Sequence, residues 1–149
     1  MSNLHVSLLG KTLPGPVIAA SGTFGYGVEY GEIVDLGVLG GVCSKGLTLN
    51  PKYGNEGERL LETPSGLINS IGLQNPGVRH FIDNELPAMR QALAGTGTAI
   101  LANLGGGCIE DYEEGCELLC QAGVDFVELN ISCPNVKHGG IAYGVKPES

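Results

Sequence analysis

The chain has 149 residues, 25 of them glycine, with 42% hydrophobic residues and a formal charge of −8. That length supports one modest domain with its own core. The acidic balance argues against a nucleic-acid or anionic-membrane binder, both of which need basic faces, and it means that an anionic substrate would need a local cation.

The N-terminus, MSNLHVSLLG, lacks the charged-then-apolar layout of a secretory signal, and no apolar run reaches membrane-spanning length. The stretch NLHVSLLGKTLPGPV reads as a small hairpin with GKTLPG as its turn region. PVIAAS (16–21) is a first buried strand, and GVEYGEIVDLG (27–37) reads as a short helix ended by Gly37. VLGGVCSKG (38–46) is a second strand. The segment from Leu47 to Pro76 is too rich in Gly, Pro and Asn to be one element. Residues 78–95 read as a helix interrupted at Pro87, giving two helical pieces. TAILANLGG (98–106) is a third strand, CIEDYEEGCELLCQAG (108–123) an amphipathic helix closed by Gly123, and DFVELNIS (125–132) a fourth strand. Continuous apolar strands alternating with helices predict an α/β fold with a parallel sheet.

Each strand hands over to its loop through a polar residue: Ser21, Lys45, Asn103, then Asn130 with Cys133. In a parallel βα array these positions share one rim, where sites are built. Four in four points to a common ligand. Pro147-Glu148-Ser149 reads as the first turn of another helix, and four strands cannot close a barrel, so half of a larger architecture is expected.

Cys133, between Ser132 and Pro134 after a strand, has two readings: a semi-buried structural thiol, or a thiolate acting as general base. Lys45, ending an apolar strand before Gly46, is either a solvated strand end or a cation facing an anionic ligand. In SGLINSIGLQNPG (65–77) a structural loop is the simpler reading, although Asn69 beside small residues could meet a planar polar ligand. The five cysteines, odd in number and without repeated C-x-x-C spacing, favour reduced thiols and a cytoplasmic setting, and no metal set is completed. LGGGC (104–108) before a helix is a weak phosphate-cradle motif.

With KG, NSIGLQNPG and ELNISCPNVKHGG on one rim, the sequence resembles the class 1 dihydroorotate dehydrogenases, most closely the NAD-linked subgroup (1B). The similarity runs from the hairpin to residue 149. It implies a (β/α)8 TIM barrel of which residues 1–149 form the N-terminal half, roughly the first four strand–helix units after the hairpin. It also implies FMN-dependent oxidation of dihydroorotate to orotate in pyrimidine biosynthesis, with NAD+ as final acceptor. On that resemblance Cys133 takes the proton from substrate C5 while C6 delivers hydride to the flavin. Lys45 faces both flavin and substrate and stabilises negative charge on the reduced ring. Asn69, the backbone of Ser70, Ile71, Gly72 and Leu73, Asn130 and Asn135 hold the substrate. Ser21, Lys45, Gly46, Asn103 and Asn130 meet the FMN ring. Electrons leave through a partner subunit carrying FAD and a [2Fe-2S] iron–sulfur cluster, in a heterotetramer. The family's second-half lysine, asparagine and FMN-phosphate loops have no counterpart in these residues, so the 149 residues by themselves are expected not to turn over dihydroorotate. Two other readings stand beside this one: a flavin domain of the dihydropyrimidine dehydrogenase kind, and a non-catalytic half-barrel.

Overall fold

A four-stranded parallel sheet organises the chain in the computed structural model, which describes residues 4–131 and 144. Its strands are β3 (Ile18–Ala19), β4 (Gly41–Cys43), β7 (Ala99–Leu104) and β8 (Phe126–Leu129), side by side in that order. Two antiparallel hairpins flank it: β1 (Val6–Leu8) with β2 (Lys11–Leu13), and β5 (Leu60–Thr63) with β6 (Gly66–Asn69). All six residues of β7 are buried, as a central strand covered on both faces requires.

Alternation along the strands sorts their side chains into two layers. Val42, Ile100, Ala102 and Leu104 face the helices, where they pack with Phe81, Leu86, Met89 and Leu119. Cys43, Ala99 and Leu101 face the other way and pack with Leu13, Leu8, Ile18 and Phe126. The first hairpin therefore covers the inner face at the strands' N-terminal ends. Lys11 anchors it there by an ion pair to Asp125, whose second oxygen accepts from the Ile100 N–H at 2.8 Å. With that end covered, the opposite end of the inner face is the open one.

Two local readings need correction, and two others gain detail. The first hairpin turns at Leu9 and Gly10, both at positive φ (47° and 85°), and Lys11–Leu13 is strand, not part of the turn. Residues 27–37 form no single helix but two 3₁₀ turns, Glu29–Glu32 and Leu36–Val38, the second capped by the Asp35 carboxylate on the Gly37 N–H. Glycines at 27 and 31 and the β-branched pair Ile33-Val34 weaken a longer helix there. The irregular segment contains the β5–β6 hairpin, which leaves Leu60, Leu61, Leu67 and Ile68 exposed. The two helical pieces expected around Pro87 are present, with the break lying just before the proline. Between α1 (Val78–His80) and α2 (Leu86–Ala92) the chain widens into a π turn, Phe81–Glu85, and the Leu86 N–H reaches the Phe81 carbonyl. Pro87 then sits in the first turn of α2, where its missing N–H costs little.

The helix α3 (Ile109–Gln121) lies where the sequence put it, closed by Gly123 at φ 72°. Arg90 donates to the Gly123 carbonyl at 3.0 Å, tying the preceding helix to this end.

Candidate functional site

Past the apolar inner layer, the same strand period brings polar groups to the open rim. Asn103 follows Leu101 by two residues, Glu128 follows Phe126 by two, and the two stand opposite each other in register. Asn103 is buried; its Nδ2 donates to Glu128 Oε1, and its Oδ1 accepts from Asn130 Nδ2 at 3.3 Å. Its backbone N–H donates to Ser44 Oγ at 3.2 Å, and that hydroxyl donates to the Lys45 carbonyl at 3.0 Å. Ser21, just beyond β3, joins Asn103, Glu128 and Asn130 around a hollow of about 350 Å³.

Gly46 and Leu73 close the neighbourhood. A Cβ on Gly46 would lie 2.8 Å from Leu73 Cδ1 and 3.0 Å from Asn103 Oδ1, so only glycine lets these groups meet as they do. Leu73 holds a left-handed φ of 57° directly after Gly72 at 76°, a strained conformation that needs support from its surroundings. Asn75 supplies it. This buried amide donates to the Leu73 carbonyl at 2.9 Å and accepts from the N–H groups of Thr48 (3.0 Å) and Gly77 (2.9 Å).

Lys45 stands at the rim but lines a second hollow of about 440 Å³, with Tyr26, Lys52, Gln74 and Glu85 among its neighbours. Its backbone N–H donates to the Gly25 carbonyl at 3.0 Å. The Tyr26 hydroxyl is buried there without a hydrogen-bond partner among the described residues. Burial, with the charges of Glu85 and Glu29, pushes that phenol up to about 12, so it stays neutral.

Of the sequence candidates, Ser21, Gly46, Leu73, Asn103 and Asn130 come together. Asn69 and Ser70 are exposed at the base of the β5–β6 hairpin, where the Ser70 N–H donates to Arg59 and its carbonyl accepts from Asn55. Ile71 accepts from the Asn55 N–H at 3.1 Å, and Gly72 is buried against Asn55. Cys133 and Asn135 lie outside the described residues. The glycine loop before α3 is not an open phosphate cradle, because the Gly107 N–H is taken by Asp111 Oδ2 at 2.7 Å. Among the described residues no group of three or more His, Cys, Asp or Glu side chains could hold a metal.

Two residues of this neighbourhood escaped the sequence reading. Glu128, exposed at the rim, was visible as a charge within an apolar strand, on the same face as Phe126. Asn75 had no such signal, because its hydrogen bonds depend on how the loop folds. Cys43 donates to Glu128 Oε1 at 3.5 Å, and burial together with that carboxylate pushes its thiol up to about 12.

Comparison with known proteins gives a consistent result. Residues 3–149 match the family described as dihydroorotate dehydrogenase. The chain is 50% identical over 146 residues to the dihydroorotate dehydrogenase B (NAD(+)) catalytic subunit of Thermoanaerobacter pseudethanolicus, covering 98% of this chain and 47% of that one. It is 49% identical over 150 residues to the protein of the same name from Brachyspira hyodysenteriae, covering 100% of this chain and 48% of that one. The chain thus spans about half the length of these relatives. Among solved structures, a DHODH from Eimeria tenella in complex with ferulenol superposes with a TM-score of 0.67 at 23% identity, over 91% of this chain and 38% of that one. That likeness supports the fold, a parallel sheet interleaved with helices as in part of a (β/α)8 barrel.

Proposed function

The chain belongs to the dihydroorotate dehydrogenase family, and from that premise we propose that residues 1–149 form one wall of an FMN site in an enzyme oxidising dihydroorotate to orotate. The observation that carries the reading is the convergence of Ser21, Asn103 and Asn130 on one hollow beside Gly46. The donors and acceptors there are mostly amides and a hydroxyl, neutral groups suited to the polar edge of a flat heterocycle. The missing Cβ at Gly46 keeps that edge approachable. These features fit FMN, whose ring system accepts a hydride when bound.

The chain's own residues supply binding and proton handling. Asn103 and Asn130 hold the ring edge, and Ser21 flanks it. Leu73, braced by Asn75, sets the wall on which a substrate ring would lie. Cys133 is the general base that removes the substrate's C5 proton, and Lys45 is a local cation for the anionic ligand. Asn69, Ser70 to Leu73 and Asn135 complete the substrate contacts. The relatives' names, a catalytic subunit linked to NAD(+), support an enzyme working with a partner subunit. That partner would carry FAD and a [2Fe-2S] cluster, in a heterotetramer delivering electrons to NAD+.

A chimera in which residues 1–149 replace the matching half of the Thermoanaerobacter pseudethanolicus relative tests this. Anaerobic addition of dihydroorotate is expected to bleach its flavin, while dihydrouracil leaves it yellow. Bleaching by dihydrouracil alone would assign the hollow to a dihydropyrimidine dehydrogenase reaction, and a yellow chimera that neither substrate bleaches would contradict the reading.

A further inference from the structure

We propose that Glu128 is a positioning residue: by accepting the Asn103 amide it fixes the orientation of Asn103 and Asn130, and so sets which polar atoms the hollow offers to a bound ring. The inference rests on the flavin reading of that hollow. A side-chain amide has nearly the same shape with its oxygen and nitrogen exchanged, so chemistry must choose between the two orientations. An ionised carboxylate only accepts. Facing Glu128 Oε1, Asn103 must present its NH2. Its Oδ1 is thereby committed to the opposite side, where it accepts a hydrogen bond from Asn130 Nδ2 at 3.3 Å. Donors thus point in one direction along the chain Asn130, Asn103, Glu128.

Asn130 is held at its backbone as well. Its N–H donates to the Leu104 carbonyl at 2.7 Å, and its own carbonyl accepts from the Tyr112 hydroxyl at 2.9 Å. With its Nδ2 donating to Asn103, Asn130 would offer its Oδ1 to a ring N–H in the hollow that it lines. Cys43 contributes at the other end of the chain. Its buried thiol stays protonated and donates to Glu128 Oε1, holding the carboxylate on the inner face. Reversing the amides would set the Asn103 oxygen against the carboxylate, an acceptor facing an acceptor.

The test uses Glu128→Gln, which keeps the shape but can donate as well as accept, so it no longer enforces one orientation. Nuclear magnetic resonance of the chimera, with its asparagines labelled, reads exchange of the Asn103 and Asn130 side-chain NH2 protons with water. FMN affinity is read by flavin fluorescence in the chimera. The expected result is exchange at least tenfold faster at both asparagines in the variant, with the remaining backbone signals in place, and FMN binding weakened at least tenfold. Unchanged exchange at Asn103 and Asn130 would overturn the proposal. So would faster exchange with unaltered FMN affinity, which would reduce Glu128 to a local structural contact. If the unsubstituted chimera takes up no FMN, the flavin reading fails, and the exchange comparison still decides whether Glu128 orders the two amides.

Discussion

Gly46 and Leu73 meet where β4 hands over to its loop, so closely that a Cβ on Gly46 would stand 2.8 Å from Leu73 Cδ1. The same Cβ would lie 3.0 Å from Asn103 Oδ1. The Leu73 methyl can swing aside, but Asn103 is held by Glu128 and Asn130 and has less room to give.

Gly46→Ala is therefore expected to cost binding more than folding. The backbone at 46 is not in the left-handed region, so alanine adds a crowding cost of only about 1 kcal/mol. Thermal unfolding should shift by a few degrees, while FMN affinity in the chimera falls at least tenfold. A large loss of stability with unaltered affinity would place Gly46 outside the site.

Asn75→Ala should have the opposite signature. Removing this amide strands the N–H groups of Thr48 and Gly77 and the Leu73 carbonyl in a buried setting. Such orphaned groups cost roughly 1–3 kcal/mol each before relaxation. Urea denaturation is expected to show a loss of about 2–4 kcal/mol overall. A loss below about 0.5 kcal/mol, the range of ordinary surface changes, would mean that Leu73 keeps its conformation without this brace.

Stability should decline in alkali. The Cys43 thiol is pushed from 9.0 to about 12, chiefly by burial and then by Glu128. Between those values the unfolded chain loses a proton that the folded chain keeps, so the folded state binds more protons there. Stability is accordingly full below pH 9 and falls as pH rises towards 12. Tyr26, raised from 10.0 to about 12, adds to the fall in the upper part of that window. Denaturation of Cys43→Ala across the same range should show a shallower decline than the parent. An equal slope would mean that this thiol does not titrate as its surroundings dictate.

In the chimera, Cys133→Ala is expected to lose dihydroorotate-driven bleaching by two orders of magnitude or more, the scale of a lost general base, while remaining yellow. A colourless variant would make Cys133 a structural thiol.

The sequence made the sheet legible because its two central strands are buried on both faces and read as apolar runs; Ala99–Leu104 shows this most clearly. The rim was legible for a related reason. Ser21, Asn103 and Asn130 interrupt those runs at the strand ends, and a parallel array gathers such ends together. The β5–β6 hairpin was not, because Leu60, Leu61, Leu67 and Ile68 sit exposed on a short ribbon and follow no in–out alternation. The two 3₁₀ turns at 29–38 and the widened turn before Pro87 were hidden for another reason. Each is a compromise between local preference and packing that propensity alone does not resolve. Lys45 shows the limit most plainly. The rim position was readable, but the hollow its side chain lines was set by Tyr26 and the 74–76 loop, far along the chain.

Flavin fluorescence titration of the chimera bearing Asn103→Ala tests the central claim most directly. The expected result is FMN affinity reduced at least tenfold, with the Ser21, Gly46 and Asn130 backbone signals of the variant chimera in place. An Asn103→Ala chimera that binds FMN as tightly as its parent would contradict the assignment of this hollow to the flavin.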